Sequence, residues 1–452
     1  MEPEQREALD ESLVKIRAGR MTRRTFLERA TSLGLSGSAA VSLLEACGSS
    51  SNSSGGNKAA TNLIWQSEQE STNTYKAIVD TFNASVGQRK GIHVTWQQGP
   101  ASTNDMLTRY TNMLRARDGS IDVLSIDIVY PAQFAASEWI RPITTQQWSN
   151  SERSAYLPGP LQGCTYQNQL WAAPFRSDVG VLYYRTDLIN EAPGTWDDLT
   201  AQAQGVQHGQ VKYGYVWQGA QYEGLVCNFC EVLYGYGGTV LDPNDPTKVT
   251  VNSDEGKAAL ARMVSWVGTI SPRSVTTYME DSSRQVWQNA DAAFMRNWPY
   301  AYTLGEDSTQ SRIANKFAVH ALCAGGKNSV PHSVLGGWNM AINAYSPHGE
   351  QAWEFIHYML QQDAQKKAAL GAGLAMTLKS IYTDKDVLAK NPLFSQLQAI
   401  LQNALPRPVS PRYTNVSDAL QLRIYQALKR EHSPGDALAS LATDLKKIVT
   451  TV

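Results

Sequence analysis

Residues 63–126 read LIWQSEQESTNTYKAIVDTFNASVGQRKGIHVTWQQGPASTNDMLTRYTNMLRARDGSIDVLSI. Three short runs in this stretch have the composition of strands, and the two runs between them have the apolar spacing of helices. In chain order the five runs are 63–65, 75–82, 92–96, 106–114 and 122–126. The order strand, helix, strand, helix, strand predicts a mostly parallel sheet covered by helices, so the predicted fold class is α/β.

The same rhythm continues along the chain. Cap residues and apolar spacing predict helices from Thr195, from Ser253 and from Pro272 to about Met295. The other predicted segments are extended runs at 170–175, 179–184, 317–322 and 340–342, and mostly amphipathic helix over 350–450. Because 452 residues are too many for one ordinary core, we expect two lobes joined by more than one crossing of the chain.

The charge balance argues against a nucleic-acid-binding protein. Lys and Arg number 40 against 41 Asp and Glu, and the sequence shows no basic stripe. With 42% hydrophobic and 18% charged residues, the composition is globular rather than disordered. The 12 Trp and 20 Tyr are more informative, since each combines a flat apolar face with a hydrogen-bonding group. Their number is large enough to supply both a hydrophobic core and a pocket in which aromatic rings stack on a ligand.

The N-terminal segment has the features of an export signal followed by a lipid anchor. Arg23 and Arg24 precede Thr-Phe-Leu and resemble a twin-arginine (Tat) signal. The apolar run 30–44 is too short and too polar to remain as a membrane span, and LEAC, which ends at Cys47, resembles a bacterial lipobox. We therefore predict a Tat-type lipoprotein signal over 1–46 and acylation of Cys47. The alternative is a disordered tail with a chance arginine pair.

A Ser- and Gly-rich segment over 47–60 predicts a flexible linker to a folded part that begins near Thr61. Such a tether gives a domain the slack to reach a partner in the same membrane. The predicted location is therefore the outer face of the cytoplasmic membrane, at the cell surface or in the periplasm.

The four remaining cysteines, Cys164, Cys227, Cys230 and Cys323, allow two disulfides but do not imply them. Cys227 and Cys230 have the spacing of a redox pair, but they lie in an apolar, predicted helical run without a nearby His for zinc. We expect buried, unreactive thiols. No metal or cofactor is predicted, because the seven His show no paired ligand spacing.

Six blocks of the mature chain are distinctive. They are LYYR at 182–185, VWQGAQYEGLVC at 216–227, AAFMRNWPYA at 292–301, LGGWN at 335–339, AWEFI at 352–356 and PRPVSPRY at 406–413. In this order they resemble the solute-binding proteins of ABC sugar importers, of the maltose-binding type and especially its trehalose/maltose-binding branch. The resemblance extends from about Thr61 to Val452.

The resemblance implies a two-lobed periplasmic-binding-protein fold of type II, with the ligand in the interlobe cleft and closure by a hinge motion. We expect one lobe to comprise 61–173 and 318–372, and the other 174–317 and 373–452. The resemblance also implies a monomeric sugar-binding protein rather than an enzyme. Its expected partners are a disaccharide or short oligosaccharide and the permease of an ABC importer.

A sugar site needs polar groups for the hydroxyls and aromatic rings for the C–H faces. Asp127 follows a predicted strand, a position that points into the cleft of an open α/β sheet. Trp298 precedes a proline at a predicted helix end, and Trp338 follows two glycines. The second of these, Gly337, lets a ligand approach the backbone closely. We predict stacking by both Trp side chains and a hydroxyl contact from Asp127.

Family positions add further candidates. The resemblance implies a sugar contact from Asp178, and Arg176 stands where close relatives have an aromatic contact. Arg407 and Tyr413 lie in a Pro-rich segment, where a buried Arg can pair with a cleft carboxylate or contact vicinal hydroxyls. A structural salt bridge between the lobes is the alternative role of Arg407.

The family also places an acidic residue shortly after the first strand. Glu68 and Glu70 both qualify, and we assign the role to Glu70. A secreted glycoside hydrolase is the main competing function, with Asp127 and Asp178 as its carboxylate pair. A subunit that presents sugar to a membrane receptor is a second alternative. The identity of the sugar and of the transporter stays open at this point.

Overall fold

In the computed structural model the described residues are Thr25 and 60–450, except Asn244, Val409 and Pro411. The predicted export and lipidation residues lie outside them: Arg23, Arg24 and Cys47. The part of the chain from Ala60 to Val452 forms one compact unit. Within the described residues, no helix combines the length and the apolar character needed to cross a membrane.

The strands of the described residues form two main sheets and one short pair. In chain order they are β1 (Thr61–Ser67), β2 (Ile92–Gln98), β3 (Val123–Asp127), β4 (Thr165–Tyr166), β5 (Gln169–Leu170), β6 (Ala173–Val179), β7 (Val181–Arg185), β8 (Tyr213–Val216), β9 (Ala292–Asn297), β10 (Phe317–His320) and β11 (Leu335–Ile342). The first sheet has the order β2-β1-β3-β11-β6 and the second β10-β7-β9-β8. In the first sheet β1 is parallel to β2 and β3, whereas β11 is antiparallel to β3 and β6. The predicted α/β class is confirmed, but the prediction of a mostly parallel sheet holds only for β1, β2 and β3, because both pairs of β11 are antiparallel.

Helices cover both sheets. In chain order they are α1 (Thr74–Phe82), α2 (Gln88–Lys90), α3 (Thr103–Arg115), α4 (Pro131–Ala136), α5 (Asn150–Arg153), α6 (Pro158–Gly163), α7 (Trp196–Val206), α8 (Glu223–Gly235), α9 (Asp254–Trp266), α10 (Glu280–Gln288), α11 (Ala301–Glu306), α12 (Gly349–Leu360), α13 (Gln362–Ala372), α14 (Lys385–Lys390), α15 (Phe394–Gln402), α16 (Tyr413–Leu428) and α17 (Pro434–Thr450). Two predicted N-caps are confirmed. The side chain of Thr195 accepts the N–H of Asp198 at 3.1 Å, and that of Ser253 accepts the N–H of Gly256 at 3.2 Å.

The helix predicted to run on to Met295 is wrong in its last part. Helix α10 ends at Gln288, and β9 occupies Ala292–Asn297. All of β9 is buried, so its sequence shows no alternation of apolar and polar residues. A short apolar run of this kind does not distinguish a buried strand from a buried helix. Trp298 therefore follows a strand instead of ending a helix.

The described chain passes between the two sheets at three crossing segments. The first is Gly180, between β6 and β7; the second is 321–334, between β10 and β11; the third is 403–412, between α15 and α16. Val334 and Leu405 pair in parallel, so the second and third crossing segments lie side by side. We refer to these three crossing segments together as the hinge.

The sheets place three segments in the other lobe from the one that the sequence predicted. Strand β6 pairs in the first sheet, although 174–179 was assigned to the second lobe. Strand β10 pairs in the second sheet, although 318–320 was assigned to the first. Residues 373–402 pack on the first lobe, where the N–H of Ser177 donates to the carbonyl of Ala375 at 2.8 Å. Between β6 and β7 the extended run is interrupted only by Gly180, so the sequence gives little indication that the chain changes sheet there.

Two large apolar clusters fill the lobes. Trp65 and Phe355 lie in the first, with ring centroids 5.5 Å apart. Trp196 and Trp266 lie in the second, with centroids 5.4 Å apart. The cysteines of the described residues are buried, as expected, and the disulfides that the sequence left open are not formed: Cys164, Cys227, Cys230 and Cys323 are free.

Candidate ligand-binding cleft

A cleft of about 250 Å³ lies between the two sheets. The first lobe lines it with the loop after β1, the end of β3, and parts of β6 and β11. The second lobe contributes the first residues of α8 and α10 and the loop after β9. The third crossing segment adds Arg407. Both lobes and the hinge therefore meet at this cavity, at the carboxyl ends of β1 and β3, where open α/β sheets bind their ligands.

Every residue predicted to contact the sugar, except Tyr413, lines this cleft. The set is Glu70, Asp127, Arg176, Asp178, Trp298, Gly337, Trp338 and Arg407. Tyr413 is only 1% exposed, and its hydroxyl donates to the carboxylate of Glu223. Tyr413 therefore lies behind the cleft wall and supports a wall residue.

The strand register explains why three cleft side chains share one face of the first sheet. Trp338 on β11 pairs with Asp127 on β3 and with Arg176 on β6. Residues directly opposite each other in antiparallel strands project to the same face. A β-bulge follows Trp338, and Gly337 has φ +142°, a conformation that glycine adopts most readily. A Cβ at Gly337 would lie 2.4 Å from the carbonyl oxygen of Arg176, so only glycine fits.

Arg176 lies between two carboxylates, a group that we call the first triad: Glu68, Arg176 and Asp178. Its Nε is 3.2 Å from Glu68 Oε1 and 3.3 Å from Asp178 Oδ2. The Tyr75 hydroxyl also donates to Glu68 Oε1, at 2.8 Å. Burial raises the pKa of both Glu68 and Asp178, and the guanidinium of Arg176 opposes this rise. Burial alone would lower the pKa of Arg176, but the two carboxylates outweigh it, so Arg176 stays charged.

Each carboxylate of the first triad has a buried oxygen without a hydrogen-bond partner among the described residues. These atoms are Glu68 Oε2 and Asp178 Oδ1, and both are buried. The two residues are only 5% and 4% exposed and line the cleft. A buried acceptor without a donor costs free energy, about 1–3 kcal/mol for a neutral group and more for a charged one. These acceptors therefore belong to two residues of the cleft wall and have no donor among the described residues.

Arg407 lies between two further carboxylates, and we call this group the second triad: Asp127, Arg407 and Glu223. Nη2 is 2.6 Å from Asp127 Oδ1, and Nη1 is 2.7 Å from Glu223 Oε1. Burial raises the pKa of Glu223, against the lowering effect of Arg407. Asp127 ends β3 of the first lobe, and Glu223 begins α8 of the second. The first triad belongs to one lobe, whereas the second joins both lobes to the hinge.

Glu70 uses its carboxylate within its own loop. Oε1 accepts the N–H and the hydroxyl of Thr72, and Oε2 accepts the N–H of Tyr75 at 3.1 Å. These contacts cap the start of α1. The carboxylate that meets Arg176 comes from Glu68, the other candidate of the sequence, and both Glu68 and Glu70 line the cleft.

The indole of Trp298 forms the second-lobe side of the cleft. Its Nε1 donates to Glu280 Oε1 at 3.2 Å, and the guanidinium carbon of Arg296 lies 3.9 Å from the ring centroid. The benzo edge lies against Gly336, where a Cβ would be 3.0 Å from Trp298 Cζ3. Trp298 is partly exposed, so part of the ring is available to a ligand.

Four hydrogen bonds form a closed ring between the lobes, which we call the interlobe ring. The N–H of Glu223 donates to Asn104 Oδ1 at 3.0 Å, and Asn104 Nδ2 donates to Gln421 Oε1 at 3.0 Å. Gln421 Nε2 donates to Ser417 Oγ at 2.8 Å, and Ser417 Oγ donates back to Glu223 Oε2. Asn104 lies on α3 of the first lobe and the others belong to the second lobe, so the ring holds the lobes together beside the second triad.

The charged and aromatic lining residues that the sequence did not assign to the site are Glu68, Glu223, Glu280, Asp281 and Tyr300. Glu223 and Tyr300 stand inside the distinctive blocks, which was the available signal. Glu280 and Asp281 open α10, where acidic residues are ordinary partners of the helix dipole. For these two the sequence offers no signal that separates a binding role from a capping role.

The sequence of this chain is similar to those of known binding proteins. The family model described as bacterial extracellular solute-binding protein matches residues 66–366. A probable ABC transporter-binding protein of Deinococcus radiodurans is 37% identical over 375 residues, which is 80% of this chain and 88% of that protein.

Two solved structures are also similar. Maltose-bound MalE3 of T. maritima has a TM-score of 0.81 and 35% identity, covering 86% of this chain and 100% of that one. An ABC transporter solute-binding protein of Thermotoga lettingae with bound α-D-tagatose has a TM-score of 0.75 and 25% identity, with 86% and 100% coverage. Both of these structures hold a sugar, and the two sugars differ.

Proposed function

Since this chain belongs to the bacterial extracellular solute-binding proteins, the sugar-binding family of ABC transporters, we propose that its cleft captures a disaccharide or short oligosaccharide of the trehalose or maltose type. The observation that supports this most directly is the pair of carboxylate–guanidinium triads on either side of Trp338. They combine charged acceptors, charged donors and a flat ring in one cavity. Sugars offer hydroxyls and weakly apolar C–H faces, which are the complementary groups.

The first triad is suited to a pair of neighbouring hydroxyls. One hydroxyl donates to Glu68 Oε2 and another to Asp178 Oδ1, which are the buried acceptors without a partner. Trp298 and Trp338 stack on the ring faces. Hydrogen bonds to charged groups contribute about 1.5–3 kcal/mol each, so a few of them produce useful affinity.

The size of the cleft favours a short ligand. Its volume of about 250 Å³ lies just below the range of roughly 300–1,000 Å³ that is usual for small-molecule sites. One or two sugar rings suit this volume better than a long glucan does. The similarity to a maltose-bound relative supports the same size class.

Binding without hydrolysis fits the charge arrangement better than the glycoside-hydrolase alternative. A hydrolase needs one carboxylate as acid and one as nucleophile or base. Here Asp127 is held by Arg407 and Asp178 is held by Arg176. A carboxylate that is paired with a guanidinium is a good hydroxyl acceptor and a poor nucleophile. We therefore propose a binding protein rather than an enzyme.

We also propose that the chain is exported through the Tat route, acylated at Cys47, and presents its sugar as a monomer to an ABC permease. The support is the order of the Arg23-Arg24 pair, the apolar run and the lipobox in the sequence. Changing Cys47 to Ser should move the protein from the membrane fraction to the soluble fraction. Changing Arg23 and Arg24 to Lys should leave it in the cytoplasm. Equal membrane association of the Cys47→Ser protein would contradict the anchor.

Calorimetric titration tests the ligand. Residues 60–452 should be titrated with trehalose, maltose, sucrose, maltotriose and glucose, followed by chromatography of the mixture for hydrolysis products. We expect one-to-one binding of a disaccharide with the sugar recovered intact. Release of glucose that disappears in Asp127→Ala would favour the hydrolase instead. Absence of binding to all five sugars would reject the trehalose/maltose type.

A further inference from the structure

We propose that Arg296 is a positioning residue: it fixes the indole of Trp298 against the ligand and ties that indole to the hinge. The proposal rests on the sugar-binding function proposed above. Arg296 does not line the cleft, and the indole covers its guanidinium. It therefore acts through Trp298 rather than on the ligand.

The strand places the two side chains together. Arg296 is in β9 and Trp298 follows its end, two positions later, so both project from the same face. The guanidinium carbon lies 3.9 Å from the indole centroid, well within the distance of a cation–π contact. Because the cation occupies one face of the ring, a ligand stacks on the opposite face.

The guanidinium itself is held on its other sides. Nε donates to Glu231 Oε2 at 2.7 Å, Nη2 donates to Glu231 Oε1, and Nη1 donates to Gln218 Oε1 at 3.0 Å. Arg296 and Glu231 are each 1% exposed. The two parallel hydrogen bonds fix the plane of the guanidinium, and the plane of the guanidinium restrains the indole.

The same ion pair touches two crossing segments. Glu231 Oε1 accepts the N–H of Val334, in the second crossing segment, at 3.4 Å. Gly180 is the first crossing segment, and a Cβ there would lie 1.9 Å from Glu231 Oε1 and 2.5 Å from Arg296 Nη2. Ser333 Oγ donates to the carbonyl of Gly180 at 2.6 Å, which joins the two segments to each other. A movement of the hinge is therefore transmitted to the Arg296–Glu231 pair and from there to Trp298.

A double-mutant cycle separates positioning from a general structural role. Removing Arg296 alone would leave Glu231 as a buried charge without its counter-ion, so the test variant is the pair Glu231→Gln with Arg296→Met. This pair is made in the full-length chain and in the Trp298→Ala background, and maltose is titrated into all four proteins. Arg185→Met is the matched control, since its guanidinium pairs with Asp187 outside the cleft.

We expect the double substitution to weaken maltose binding about tenfold when Trp298 is present, and to change it little in Trp298→Ala. Equal losses in both backgrounds would overturn the proposal, because Arg296 would then act without Trp298. Arg185→Met should bind maltose like the wild type. Arg296→Lys keeps the charge beside Glu231 but not the planar fork, so it should lose part of the affinity even if the double variant fails to fold.

A second measurement needs no sugar. The fluorescence of Trp298 is obtained as the difference between a protein and its Trp298→Phe counterpart. Arg296→Lys should shift this difference spectrum, since the planar guanidinium leaves the ring. An unchanged spectrum would overturn the positioning role. If the wild type binds none of the sugars, the proposed ligand fails while the spectrum still tests the contact between Arg296 and Trp298.

Discussion

Arg407 Nη2 lies 2.6 Å from Asp127 Oδ1, so a residue of the third crossing segment is bound directly to the last residue of β3. Arg407 is 3% exposed and carries a second carboxylate, Glu223, on its other amino group. The pair joins the first lobe to the hinge at the floor of the cleft. Both residues also line the cleft, so the pair is part of the site as well as a contact between the first lobe and the third crossing segment.

Changing Arg407 to Met should weaken sugar binding by about tenfold to a hundredfold, the loss expected for one charged hydrogen bond. The variant should also be less stable, because Asp127 and Glu223 lose their buried counter-ion. Calorimetry and urea unfolding measure the two effects. Arg423→Met is the control, since Arg423 pairs with Asp444 at 2.8 Å on a partly exposed surface outside the cleft. Wild-type affinity in Arg407→Met would contradict the role of the second triad.

Changing Trp338 to Ala should reduce affinity by about tenfold to a hundredfold with little effect on the fold, since central aromatic residues dominate binding energy. Trp338 is partly exposed at the cleft, so its removal leaves a smaller gap in the core than removal of a buried Trp would. Trp171→Ala is the matched control: Trp171 is also partly exposed, but it donates to the carbonyl of Tyr166 outside the cleft. Similar losses in both variants would argue against stacking on Trp338.

Changing Gly336 to Ala should weaken sugar binding about tenfold. The added methyl carbon would lie 3.0 Å from Trp298 Cζ3 and 3.2 Å from Cη2, so the indole has to move. The matched control is Gly326→Ala, where the nearest atom to a Cβ is 4.0 Å away. Titration with the sugar that the wild type binds gives the affinities, and thermal unfolding checks the fold. An affinity unchanged by Gly336→Ala would show that the position of the indole is not critical.

Changing Glu68 to Gln should stabilise the protein at neutral pH. Burial raises the pKa of Glu68, so the folded state binds a proton there more tightly than the unfolded state does. At a pH above the raised pKa of the folded state, ionised Glu68 therefore destabilises the fold. This destabilisation disappears as the pH falls from the folded-state pKa to the ordinary pKa of a glutamate. Urea unfolding should show the Gln variant to be more stable than the wild type at pH 7, with the difference shrinking by pH 4.

The same variant should bind sugar more weakly, because the amide is a poorer acceptor than the carboxylate. A substitution that raises stability and lowers affinity is typical of a residue that contributes to binding but destabilises the folded state. Glu354→Gln serves as the control, since Glu354 pairs with Lys90 at 2.5 Å on the surface. A Glu68→Gln protein that is less stable than the wild type at pH 7 would contradict the argument.

The alternating order of strands and helices could be predicted because periodicity and caps are local signals. Thr195 and Ser253 began their helices as expected. The lobe boundaries could not be predicted in the same way. Gly180 carries the chain from one sheet to the other without a turn, and its need for glycine comes from Glu231 and Arg296, which are distant in sequence.

The cleft residues also fall into those that local sequence features predict and those that only the structure identifies. Asp127 was predicted from its place at the end of a strand, which is a local feature. Glu68 and Glu70 both stand shortly after the first strand, and only the folded loop shows that Glu70 accepts from Thr72 and Tyr75 while Glu68 meets Arg176. The role of a residue that acts through a partner on another helix or strand can be assigned only from the structure.

The interlobe ring has a direction: each member donates to the next, from Glu223 through Asn104, Gln421 and Ser417 back to Glu223. Hydrogen bonds in which each group accepts one bond and donates the next polarise one another. Replacing one donor by an acceptor therefore weakens the neighbouring hydrogen bonds of the interlobe ring as well. Replacing Asn104 by Asp would set two acceptors against each other at Gln421. A substitution that turns a donor into an acceptor at one position therefore needs a substitution that supplies a donor at the neighbouring position. We expect these residues to have changed together, not singly, as the protein diverged.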